Sequence, residues 1–164
     1  RGDGGVGAEA GTGGELGGWE GRWGWAGQAA AVRADRLHLT LHFLGSVPCG
    51  RVADLIDLLP VPREAISLDF GSADLWPGGI AIVRPLAVPP ALARLHAALA
   101  SCVSGFGLAL DPRPYQPHVT LARHAMGARP PPQGPRIRWQ CGSGYVLVQS
   151  LPAGPGYEVL PRLG

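Results

Sequence analysis

Two short runs of strict alternation constrain the fold of this chain more than any other feature. In "LHLTLHF", Leu37, Leu39, Leu41 and Phe43 alternate with His38, Thr40 and His42, the period of a strand with one buried face. Eighty residues on, "HVTLAR" interleaves Val119 and Leu121 with His118 and Thr120. The chain has only three threonines and five histidines, yet two of the threonines stand two residues after a histidine. A duplicated His-x-Thr on two half-buried strands gives each strand one face carrying an imidazole and a hydroxyl.

The surrounding punctuation supplies the other elements. "RVADLIDLLP" has helical spacing with Pro60 as a stop. "AISLDF" and "GGIAIVRP" read as strands separated by Gly71 and the Pro77-Gly78-Gly79 cluster. "ALARLHAALASCVSGFG" follows two prolines and closes on Gly105 and Gly107, which makes it the clearest helix. After the proline-rich loop "GARPPPQGPR", the runs "RIRWQ", "GYVLVQS" and "GYEVL" read as closing strands. Strand-helix-strand-strand-helix-strand followed by strands points to an α+β fold with antiparallel sheet.

Residues 1–30 form a glycine-rich segment, read as flexible or atypical because glycine this dense carries a large backbone-entropy cost. Trp19, Trp23 and Trp25 could dock its end onto the body. Residues 31–164 are read as the folded domain. Apolar residues make up 46% of the chain and charged residues 16%, which argues against a solvated, disordered polypeptide. All basic residues are arginine and they are dispersed, so the net charge of +2 does not mark a nucleic-acid surface. Cys49, Cys102 and Cys141 form no C-x-x-C pair, which favours a reducing compartment over a disulfide framework or a zinc site. With no long apolar run and no basic-then-apolar head, neither membrane association nor a leader is expected, and a cytoplasmic monomer is the reading.

Two imidazoles that titrate near neutrality can divide acid–base work on a phosphate, one accepting a proton from the nucleophile and the other donating to the leaving oxygen. Each threonine hydroxyl can donate to a non-bridging oxygen. No metal or cofactor is required. A metal set of His38, His42 and His118 lacks an acidic or cysteine ligand to complete it.

"LHLTLHFLG" and "YQPHVTLAR" together resemble the two signature strands of the two-histidine (2H) phosphoesterases, and most closely the bacterial RNA 2′,3′-cyclic phosphodiesterases, the LigT-like 2′-5′ RNA ligases. The resemblance runs from about Leu37 to Leu160 and includes "LDFGSADLWPGGIAIVRP" and "YVLVQSLPAGPGYEVL". It implies a bilobal α+β fold of two antiparallel sheets related by a pseudo-twofold, with flanking helices and one motif strand from each lobe lining a cleft. It further implies opening of a terminal ribose 2′,3′-cyclic phosphate on RNA to a 2′-phosphate, with reversible joining of RNA halves through a 2′-5′ linkage in some members. Carried onto this chain, His38 is the proton donor, His118 the proton acceptor, and Thr40 and Thr120 cradle the phosphate. Arg123 could add a charge-assisted bond, although strand parity sets it opposite His118 and Thr120. Tyr115 or Phe43 could stack on a base, while His42 reads as a solvated neighbour of His38, and His96 and His124 have no assigned role. The family's apolar first strand has no counterpart in the glycine-rich head, so that strand is expected to be missing or altered. Alternatives that keep the fold are a noncatalytic RNA-binding 2H domain and a phosphodiesterase acting on a small cyclic nucleotide.

Overall fold

The computed structural model of the chain describes residues 2–8, 22–25, 27–32, 37–47, 49–59, 65–132, 134–141, 145–150 and 157–160. Strands β1 (Gly2–Ala8), β2 (Ala30–Ala31) and β3 (Leu39–Val47) come first. A 3-10 turn (Cys49–Arg51) then leads into helix α1 (Val52–Leu58). Strands β4 (Ile66–Trp76) and β5 (Ile80–Pro85), helix α2 (Pro90–Gly105) and strands β6 (Val119–Arg123), β7 (Ile137–Cys141), β8 (Tyr145–Ser150) and β9 (Tyr157–Leu160) complete it.

The strands join in the order β7-β4-β5-β6-β3-β1-β8-β9, every pairing antiparallel, with β2 added beside β6. The two expected sheets are thus halves of one path. The half β7-β4-β5-β6 meets the half β3-β1-β8-β9 where β6 and β3 share a single residue pair, Leu39↔Val119. Each motif strand is the inner edge of its own half.

Alternation decides what fills the core. Leu39 and Leu41 from β3, Val119 and Leu121 from β6, and Leu68 and Phe70 from β4 are buried, together with Leu92, Leu95, Leu99 and Val103 along one stripe of α2, which packs on β3. Trp139 of β7 is fully buried, edge-on to Phe70 with ring centroids 4.9 Å apart. Burying a side chain of this size stabilises the fold by roughly 1.5–3 kcal/mol. α2 begins with Pro90 in its first turn, where a missing N–H costs nothing, and ends where Gly107 takes φ 94°.

Two glycine readings change. Gly71 does not end a strand: β4 runs through it, with a register shift between Phe70↔Pro85 and Ser72↔Arg84. A Cβ there would sit 2.3 Å from Leu86, so glycine permits the close approach of the following segment. The head, read as flexible or without the first strand, supplies β1, whose backbone pairs with β3 on one side and β8 on the other. The strand is present in altered form. Ladders on both edges supply the hydrogen bonds that offset its glycine entropy. Trp23 is buried and stacks on Trp25 at 5.1 Å, while Trp19 lies outside the described residues.

Candidate active site

The Leu39↔Val119 pair fixes the register of the two motifs. In an antiparallel pair this sets His38 level with Thr120 and Thr40 level with His118, so each imidazole meets the other motif's threonine. Leu39 and Val119 point into the core and are fully buried, leaving the four polar side chains half-buried on the opposite side.

Both motif strands then bulge at the same place. Gly7 pairs with Thr40 and Val6 with His42, so Leu41 is an extra residue in β3. Ile82 pairs with Thr120 and Ala81 with Ala122, so Leu121 is an extra residue in β6. An extra residue reverses the alternation beyond it. His42 therefore turns toward α2 rather than solvent, stacking on His96 at 4.0 Å and donating from Nε2 to the His96 carbonyl at 2.9 Å. Ala122 is buried next to buried Leu121, and Arg123 emerges exposed on the side where its charge acts on His118. The parity argument that set Arg123 opposite His118 is corrected by this bulge.

His118 Nδ1 lies 2.8 Å from the Gln116 carbonyl. A carbonyl can only accept, so Nδ1 carries the proton and, in the neutral ring, Nε2 holds the lone pair. Trp76, at the end of β4, packs on the ring with centroids 4.3 Å apart. Burial holds the imidazole below the ordinary histidine range, and His38, Arg123 and Arg84 push it the same way, against the Gln116 bond, which favours the protonated form.

Trp76 and Arg84 were not singled out from sequence, because only cross-strand register brings them here. Val83 pairs with Val119, so Arg84 stands level with His118 on the adjoining strand; its Nη2 lies 3.5 Å from Asp74 Oδ2. The usable signal is the alternation of "IAIVR", which gives Arg84 the parity of Ile82, the partner of Thr120. One face of the Tyr115 ring lies 3.8 Å from His96, nearly parallel at 9°, and its hydroxyl donates to the Thr40 carbonyl at 3.0 Å. The side chain of Phe43 lies outside the described residues. Among the described residues no three His, Cys, Asp or Glu side chains are grouped as a metal site needs, and no helix is long and apolar enough to cross a membrane.

Residues 24–133 match the profile of the 2′-5′ RNA ligase superfamily, more than half of the chain. The chain belongs to this superfamily. An RNA 2′,3′-cyclic phosphodiesterase of Escherichia coli (strain K12) is 35% identical over 105 residues, covering 62% of this chain and 60% of that protein. Another, from Geobacillus stearothermophilus, is 28% identical over 109 residues, covering 60% of this chain and 33% of that protein. The match thus spans a third to three fifths of the length of these relatives. Among solved structures, E. coli LigT complexed with 3′-AMP superposes with a TM-score of 0.84 at 24% identity, over 99% of this chain and 97% of that one. The TT0787 protein of Thermus thermophilus gives a TM-score of 0.74 at 22% identity, over 97% of this chain and 95% of that one. The LigT-type superfamily fold, with its curled antiparallel sheet, is therefore that of this chain.

Proposed function

We infer that this superfamily member is an RNA 2′,3′-cyclic phosphodiesterase that opens a terminal cyclic phosphate to a 2′-phosphate by two-histidine acid–base catalysis, without a metal or cofactor. The observation that carries the reading is the bond from His118 Nδ1 to the Gln116 carbonyl, which leaves Nε2 as the proton acceptor of a ring kept below the ordinary histidine range. His118 Nε2 takes a proton from water as its oxygen bonds to phosphorus. The bond from phosphorus to the ribose 3′-oxygen breaks, and His38 gives that oxygen its proton. Thr40 and Thr120 donate to the non-bridging oxygens from opposite motifs. Arg123 and Arg84, whose charges both act on His118, offset the negative charge that builds on the phosphate. With an RNA 5′-hydroxyl in place of water the same exchange of protons gives 2′-5′ joining: the 5′-oxygen bonds to phosphorus as it loses its proton to His118, and the 3′-oxygen leaves with the proton from His38. The names of the two curated relatives support the substrate class.

The test is product analysis on a short RNA ending in a 2′,3′-cyclic phosphate, with EDTA present. Conversion to a 2′-phosphate end is expected, and a 3′-phosphate end would reverse the assignment of the leaving oxygen. Binding of the RNA end without turnover by a folded protein would favour the noncatalytic RNA-binding reading. A Michaelis constant that is insensitive to salt would favour a small cyclic nucleotide over RNA, since contacts to a polyanion release counterions.

A further inference from the structure

We propose that Tyr115 is a positioning residue that sets the spacing of the two motifs by holding the Thr40 carbonyl across the junction of the sheet halves. The inference rests on the phosphodiesterase reading and adds to it a residue outside both His-x-Thr motifs. The junction is thin where it matters most: the β3–β6 ladder consists of the Leu39↔Val119 pair, and beyond it Thr40 keeps its pairing with Gly7 of β1 while the β6 ladder goes no further. The Tyr115 hydroxyl donates to the Thr40 carbonyl at 3.0 Å, next to the one residue pair that joins the two halves. Tyr115 lies three residues before His118, so this bond ties the approach to the second motif directly to the peptide of the first.

The ring that carries the hydroxyl is itself held. Tyr115 stacks on His96 of α2 at 3.8 Å, and the other face of His96 stacks on His42 at 4.0 Å. His42 is on β3, two residues past Thr40, and returns a hydrogen bond to the His96 carbonyl at 2.9 Å. Three rings, from β3, from α2 and from the loop that leads to β6, form one column. Burial raises the Tyr115 phenol above its ordinary value, so the hydroxyl stays a donor throughout the working pH range. Loss of this bond leaves the half-buried stack in place but frees the Thr40 peptide, and with it the aim of the Thr40 hydroxyl and the His38 ring.

A double-mutant cycle on RNA cyclic-phosphate hydrolysis tests the proposal. Tyr115→Phe keeps the ring and removes the hydroxyl. We expect kcat to fall about tenfold with KM changed less than about twofold, as for a displaced catalytic geometry. In a Thr40→Ala background the same change should cost less than about twofold further, because the two act through one peptide. Wild-type kcat in Tyr115→Phe, or full additivity with Thr40→Ala, overturns the proposal, as does a Tyr115→Phe protein that unfolds at the assay temperature. Should the unaltered protein fail to turn over cyclic-phosphate RNA, it is the phosphodiesterase reading that fails. The positioning claim is then decided by NMR, through movement of the Thr40 carbonyl and His38 ring resonances in Tyr115→Phe, or its absence.

Discussion

The two motif strands are built alike and furnished differently. β3 and β6 each follow directly on a histidine and open with an inward apolar residue, threonine and then an extra leucine that bulges the strand. The residues that follow diverge. Beyond the β3 bulge His42 turns into a stacked column of rings against α2, whereas beyond the β6 bulge Arg123 turns toward His118, which also faces Arg84 and Trp76. A repeated backbone device therefore delivers one imidazole into a cationic, partly dehydrated setting and leaves the other beside a packed structural support. This asymmetry is the basis of the proposed division of labour, with His118 as base and His38 as acid.

The sharpest way to break this comparison is to relieve one role chemically. On a cyclic phosphate, His118→Ala and His38→Ala should each lower kcat by about 10²–10⁴-fold. On an aryl phosphodiester whose nitrophenolate departs without a proton, His38→Ala should recover most of its loss and His118→Ala should not. Equal recovery of both variants in a steady-state assay would remove the division of labour. A smaller effect comes from the cations: Arg123→Gln should lower kcat/KM by about tenfold, and Arg84→Gln by less, because Asp74 already shares its charge. Both changes should also move the acid limb of the kcat/KM profile to higher pH. A base held low partly by neighbouring positive charge rises when that charge is removed. In the unaltered enzyme that limb should lie below about pH 6.5, the ordinary histidine value.

How far the sequence reaches is visible within these same strands. Up to Thr40 and Thr120, alternation alone places each side chain on its correct face, because period-two geometry is local. It fails at the next step, for His42 and Arg123, because Leu41 and Leu121 look like ordinary core positions and a bulge is set by the register of the neighbouring strand. Trp76 and Arg84 are invisible for the same reason, since nothing short of the β4–β5–β6 pairing brings them to His118. β1 was illegible from the other direction. Its glycines carry no alternation to read, and pairing to strands on both sides makes it a strand. The roles proposed for His38 and His118 come from the family resemblance, since periodicity assigns none.

The smallest expected effect concerns the stacked support. His96 is pushed down to about 4, chiefly by burial and then by the His42 imidazole at its face. In the unfolded chain the same ring titrates near 6.5. Between these values the unfolded state binds a proton that the folded state refuses, so stability falls as pH drops from about 6.5 to about 4. His118, lowered in the same direction, adds to the slope. Replacing His96 with phenylalanine keeps a ring between His42 and Tyr115 and removes one of the two protons. Urea midpoints measured across that range should therefore decline less steeply for His96→Phe than for the unaltered protein, by a margin that solvent around a partly exposed ring keeps modest. An unchanged slope would mean that His96 protonates in place without disturbing the column, and the support on the β3 side would then be as tolerant of charge as the site on the β6 side.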